Sequence, residues 1–266
     1  MRVYVFVFAL ILLVLPGAVL AHEPLFGLGP HTIGQYSWAV ESEFARNQAG
    51  WLNTYELLYG LTPDIAITGV FPYVFARDGR APGFGDLVLR GKYRFVRQDF
   101  LGGSRAFALH LGVKFPTGNQ QALRGTGAFD AFAGLSFGLE SRRHYAFAGA
   151  RYLLRGTSNN LQRGNVFRLE AAYGIRPWKL EYLQPDLVLL AEVLAETAGK
   201  NRIDNTADPN SGGFTLSVAP GALFSYRNVM FKAGVKIPML NRLNGIQENP
   251  GAELILAVEL HMPPFK

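Results

Sequence analysis

The chain is 266 residues long with a formal net charge of +6, and only 17% of its residues are charged, against about a quarter in ordinary soluble domains. Aromatic residues reach 13% and cysteine is absent, which excludes disulfides, thioether haem attachment and thiolate metal sites. The excess positive charge is spread along the chain without a basic cluster, so no nucleic-acid partner is expected.

Met1-Arg2 precedes an apolar run from Val3 to Leu15, which Pro16-Gly17 breaks before Val19-Leu20-Ala21. That order is expected of a secretory signal peptide over 1–21, with a core too short to span a membrane as a helix. Residues 22–266 are then expected to form one domain. Cleavage after Ala21 would leave His22 first, where amine and imidazole could together chelate copper near Glu23 and His31. Nothing else in the sequence supports such a site, and no metal or cofactor is expected. Only HEPLFGLGP at 22–30 precedes the first strand-like run, so no plug domain is expected either.

From there the dominant pattern has period two. Turn signals divide the chain into twelve runs, at 31–46, 51–62, 65–77, 85–98, 105–117, 128–141, 144–156, 166–178, 187–199, 214–226, 229–239 and 252–262. Each is close to the roughly ten residues with which a tilted strand crosses a bilayer. In the run Phe167-Arg168-Leu169-Glu170 and onward, apolar residues alternate with charged or small ones, and Leu87 to Phe95 does the same. An exported chain poor in charge and rich in aromatics reads this alternation inverted, with apolar side chains toward lipid and polar ones toward a lumen. Tight connectors such as Thr62-Pro63-Asp64 and Ser141-Arg142-Arg143 alternate with longer polar ones such as DGRAPGFG, TSNNLQRGN and RIDNTADPNSGG. The expected fold is all-β: a transmembrane antiparallel β-barrel of about twelve strands in an outer membrane, with both termini on the periplasmic side.

One short pattern recurs. GVKFPTGN at 112–119 is echoed by GVKIPMLN at 234–241 and more weakly by GVFPY from Gly69. Twelve strands over 22–266 give about 41 residues per hairpin, so Gly69 and Gly112 are one hairpin apart, and Gly112 and Gly234 three. Proline donates no ladder hydrogen bond, which places each copy near the outer rim, where the strand leaves the sheet.

Three stretches resemble a known family. HEPLFGLGPHTIG at 22–34, GFGDLVLRGKYRF at 83–95 and GVKFPTGN at 112–119 are similar to the outer-membrane transporter family named for the meta pathway of phenol degradation. The resemblance implies a transmembrane barrel that passes aromatic or other small solutes. It departs at the end of the chain, where Phe265 is penultimate and Pro263-Pro264 interrupt the last alternation.

With the apolar face outward, the inward charged set expected to line the lumen and set selectivity is Glu41, Glu43, Glu56, Asp86, Arg90, Lys92, Arg94, His110, Lys114, Lys232, Lys236, Glu253 and Glu259. Asp130, Glu140, Glu170, Glu192 and His261 are assigned to the same face. An acidic sector on strands twelve, one and two is then flanked by basic ones, which can select solutes by charge or pair across neighbouring strands and fill the interior. Twelve strands leave a lumen between a filled eight-strand barrel and an open porin. A passive channel for small solutes is the reading, with outer-membrane lipids and the barrel-assembly machinery as further partners. A closed structural or adhesive barrel is one alternative and an outer-membrane hydrolase another. For the hydrolase, His110 has Ser136 as its likeliest hydroxyl neighbour, but Asp130 lies roughly 20 Å along the strand, and no catalytic residues are expected.

Overall fold

A computed structural model describes residues 23–76, 81–178 and 184–264. The expected signal peptide, His22, residues 77–80 and 179–183, and Phe265 lie outside the described residues. Twelve long strands form the barrel: β1 Trp38–Asn47, β2 Gly50–Gly60, β3 Ile65–Val74, β4 Val88–Phe100, β5 Gly103–Lys114, β6 Asp130–Ser141, β7 His144–Leu154, β8 Val166–Ile175, β9 Asp186–Ala198, β10 Gly213–Tyr226, β11 Val229–Leu243 and β12 Glu253–Met262. Each pairs antiparallel with its neighbours in the chain, and β12 closes on β1 from Trp38↔Met262 to Arg46↔Leu254. Closure leaves no sheet edge, so every strand can satisfy its backbone inside hydrocarbon.

The alternation sorts the faces. Leu89, Tyr93, Leu111, Leu135, Leu169, Tyr173, Val193 and Leu256 stand exposed on the exterior, a belt that lipid covers. Their chain neighbours Arg94, His110, Ser136, Glu170, Glu192 and Ile255 are buried inside. The tight turns at 61–64, 101–102, 142–143 and 227–228 share a rim with both strand termini, the periplasmic rim.

The prolines of the recurring pattern sit where the ladder changes. The β3–β4 pairing ends at Val70↔Val88, just before Pro72; Pro116 lies beyond the end of β5. Pro238 pairs with Ser217 beside a bulge that leaves Met239 unmatched. Gly69 and Gly112 do lie at one level, facing Leu89 and Arg90 of the strand between them.

The polar outer loops carry more structure than their composition suggests. Thr157–Ser158 pairs with Leu161–Gln162, and Arg202–Ile203 with Thr206–Ala207, each around a two-residue turn. Asn159, Asn160, Asp204 and Asn205 all have positive φ, the backbone of a type I′ hairpin, which Asn and Asp tolerate. Leu161↔Ile203 pairing joins the two ribbons into a four-stranded sheet.

One boundary is corrected. The first strand begins at Trp38 and not at residue 31. Residues 23–34 do not join the sheet; they turn into the lumen as a short strap. Apolar and polar positions without alternation make a poor strand, and the backbone N–H groups of this segment find side-chain acceptors instead.

Candidate functional site

The interior has two unlike walls. On β7 to β11, Tyr145, Phe147, Ala172, Val188, Leu190, Leu223 and Met230 form a buried apolar cluster, with Leu25 packed against it. On β12 and β1 to β5, charged side chains such as Glu259, Glu41, Glu43, Glu56, Arg90 and Lys92 stand inward among small residues such as Ala39, Ala66 and Ala108. The segment 23–34 lies against the apolar wall like a strap.

Carboxylates of that wall hold the strap. Glu192 accepts the backbone N–H groups of Leu25 at 2.5 Å and Phe26 at 3.1 Å. Glu170 accepts the N–H of Leu28 at 2.5 Å while pairing with Arg151 at 2.6 Å, and Arg151 donates to the Phe26 carbonyl at 3.0 Å. Buried carboxylates need such donors to offset their lost hydration. Glycines make room: a side chain at Gly221 or Gly234 would meet the Leu25 methyl, one at Gly134 that of Leu28, and one at Gly138 the Pro30 ring. The root of the strap is fixed by His31 with Glu140 at 2.9 Å and by Thr32 donating to the Pro63 carbonyl at 2.7 Å. Glu23 curls back to accept the His31 N–H at 2.9 Å and pairs with Lys92 at 2.5 Å.

Two cavities lie beside the strap among the described residues. The inner one, about 230 Å³, lies between the strap and the charged wall, and Ser37 and Met262 mark its periplasmic end. Glu41, Glu43, Glu56, Arg90, Lys92, His110, Lys232 and Glu259 line it. Arg90 pairs with Glu56. Lys232 bridges Glu41 at 2.7 Å and Glu259 at 2.6 Å, and His261 meets Glu259 at 2.8 Å. The outer cavity, about 390 Å³, lies beneath the β1–β2 turn and contains Lys236 and Glu253, paired at 2.5 Å, together with the Arg168–Glu196 pair. Phe26, with Lys236 over its ring at 5.5 Å, stands at the inner side of this cavity.

Three residues assigned to the selectivity set line neither cavity. Arg94 clamps the periplasmic β2–β3 turn, binding Asp64 at 2.9 Å and the Pro63 carbonyl at 2.8 Å. Asp86 and Lys114 belong to a clasp at the outer rim. Asp86 accepts the Gly118 N–H at 3.0 Å, the Thr126 N–H at 2.8 Å and the Thr126 hydroxyl at 2.9 Å. Lys114 pairs with Asp130 at 2.6 Å, and Asp130 with Arg155 at 2.9 Å. The GFGD and FPTGN motifs therefore meet in space, tying the loop after β5 to the start of β4. Gly83, at φ +148°, and Gly85 let the backbone pass where a side chain would strike Arg124 or Pro72.

The hydroxyl neighbour of His110 is Ser136, at 2.7 Å. The pair is buried, with His110 at the edge of the inner cavity, and Asp130 is engaged by Lys114 and Arg155 at the outer end of β6. Glu23 and His31 are committed to the strap, and among the described residues no group of three or more His, Asp or Glu side chains could hold a metal. What the sequence reading missed is the strap's seat. A signal was present: β9 reads apolar on both faces through Leu187-Val188-Leu189-Leu190, which a lumen-facing strand needs only where something apolar packs inside it.

The family described as "Putative MetA-pathway of phenol degradation" matches residues 21–184. No curated protein matches the chain. Among solved structures, the COG4313 outer membrane channel from Pseudomonas putida F1 is similar at a TM-score of 0.68, with 13% identity over 91% of this chain and 100% of that one. The NanC porin is similar at 0.55, with 8% identity over 84% of this chain and 98% of that one. With these barrels as structural neighbours and its own apolar belt, the protein is placed in the cell outer membrane.

Proposed function

Since the chain belongs to this phenol meta-pathway family, we propose that it is a passive outer-membrane channel for small solutes, narrowed by its own N-terminal strap. The observation that carries the reading is the pair of polar cavities, about 230 and 390 Å³, on the two sides of the strap inside a closed barrel. Solutes enter beneath the outer loops, pass the strap tip at Leu25 and Phe26, and leave along the charged wall to the periplasm. Aromatic solutes fit the apolar seat of Leu25 and Phe26, and the similar barrel from Pseudomonas putida F1 is described as an outer membrane channel. Insertion is assigned to the barrel-assembly machinery, and the signal peptide over 1–21 to export. No catalytic role is proposed.

Planar-bilayer recording tests this. The full chain should give small conductance steps, and a variant with residues 25–28 replaced by glycine and serine should give larger ones. A second reading, a closed structural barrel, is favoured by how completely Leu25, Leu28 and Pro30 fill their glycine seats. Silence from both correctly inserted proteins would establish that reading instead.

A further inference from the structure

The periplasmic rim is unevenly charged. The β4–β5 and β6–β7 turns lie side by side, with Gly103 across from Ser141 and the Arg142 N–H donating to the Gly102 carbonyl at 3.1 Å. Together they carry Arg105, Arg142 and Arg143, all exposed, and none of the three makes an ion pair with a described residue. The carboxylates beside them are taken: Asp99 by Arg97 at 3.1 Å, and Glu140, inside the barrel, by His31 at 2.9 Å. The other described arginines of this rim are engaged as well. Arg94 binds Asp64 at 2.9 Å, Arg176 binds Asp186 at 2.8 Å, and Arg227 lies over the Tyr226 ring at 5.2 Å. Unmatched positive charge is thus gathered under one sector of the barrel.

Above that charge, on the lipid face, runs an aromatic patch. The Phe107 ring of β5 meets Phe137 of β6 at 4.8 Å and Phe95 of β4 at 6.3 Å, and Tyr93 follows Phe95 at 6.4 Å. Arg105 shares the outward face with Phe107, two residues along β5, and donates its Nε–H to Gln98 at 2.7 Å, which leaves the rest of the guanidinium free. Arg142 reaches toward the neighbouring turn, its Nε 3.9 Å from where a Cβ at Gly102 would stand. Arg105 is two residues above the Gly103–Ser141 pair, about 7 Å, so both long side chains can reach one phosphate. We infer that this β4–β6 sector binds an anionic phospholipid of the periplasmic leaflet, with its phosphodiester between Arg105 and Arg142 and its acyl chains along the aromatic patch. The inference rests on the outward belt and is independent of the channel reading. Guanidinium groups bind phosphate through paired, charge-assisted hydrogen bonds, and Arg143 adds a third cation beside them. Phe100 and the fully exposed Leu101 stand at the same turn, where the headgroup layer covers apolar side chains.

Native mass spectrometry of the purified full chain, in detergent with equal amounts of dioleoyl phosphatidylglycerol and phosphatidylcholine, tests the inference. The wild type should retain phosphatidylglycerol in preference to phosphatidylcholine. Arg105→Gln with Arg142→Gln should lower that preference by about twenty-fivefold, roughly fivefold for each cation removed from an anionic surface. Arg227→Gln, at the β10–β11 turn, should leave it unchanged. Heat-modifiable gel mobility checks that each variant is folded. Equal retention of the two lipids by the wild type, an unchanged preference in the folded double variant, or an equal loss in Arg227→Gln overturns the site. Displacement of the bound lipid by excess inorganic phosphate would reduce it to a bare anion site and overturn the part given to the aromatic patch.

Discussion

The Glu192 carboxylate accepts the Leu25 backbone N–H at 2.5 Å, from 167 positions away in the chain. That contact joins the middle of the barrel wall to the tip of the strap. With the Phe26 N–H on its second oxygen, Glu192 is only 2% exposed, and its charge is satisfied by the strap alone. The strap is thus seated by apolar packing and tethered by charge.

Removing the tether should loosen the seat. A hydrogen bond to a charged group is worth about 1.5–3 kcal/mol, which is roughly ten- to a hundredfold in the docked population. Glu192→Ala is expected to raise the time-averaged conductance and to expose Leu25, Phe26 and Leu28 to chymotrypsin from the periplasmic side. Unchanged conductance together with an uncut strap would show that packing alone holds it.

The outward belt makes its own prediction. Leu135, at mid-strand on β6, is 54% exposed toward lipid, whereas Thr68 faces the inner cavity. An arginine facing lipid near the bilayer midplane costs about 2–4 kcal/mol. Leu135→Arg should therefore reduce the folded, heat-modifiable fraction on a gel, and Thr68→Lys should not. Equal yields of both would contradict the assignment of faces.

At the outer rim, Asp86→Ala removes the acceptor for Gly118 and Thr126. The loop 115–129 should then open to trypsin at Arg124, with barrel stability little changed because Lys114 keeps Asp130. Mass spectrometry of the first cleavage product reads this directly. A loop as resistant as the wild type's would place its anchorage elsewhere.

These contacts show what a one-dimensional pattern can carry. Period two assigns a face, so the outward position of Leu89 or Leu135 and the twelve runs follow from alternation and turn residues alone. It does not assign height or partner. Asp86, Arg94 and Lys114 share the inward face with Glu43, yet they lie at the rims, where loops and turns consume their charges. The strap was hidden for a different reason: its partners Glu170 and Glu192 are more than a hundred positions away, and a segment without periodicity announces no place in a sheet. Only the doubled apolar character of β9 pointed to something packed inside.

The Arg90–Glu56 pair allows the charged wall to be tested by exchange. Arg90→Glu would set two carboxylates side by side and should move ion preference toward cations, by about fivefold or more per unit charge. Glu56→Arg should move it the other way. The double exchange restores the pair with its partners swapped, so the wild-type ratio should return, and the departure from additivity measures their coupling. Reversal potentials of the four proteins give the whole cycle. If Arg90→Glu leaves the ratio unchanged, β4 does not present this side chain to the ion path, and the charged wall loses its part in selection.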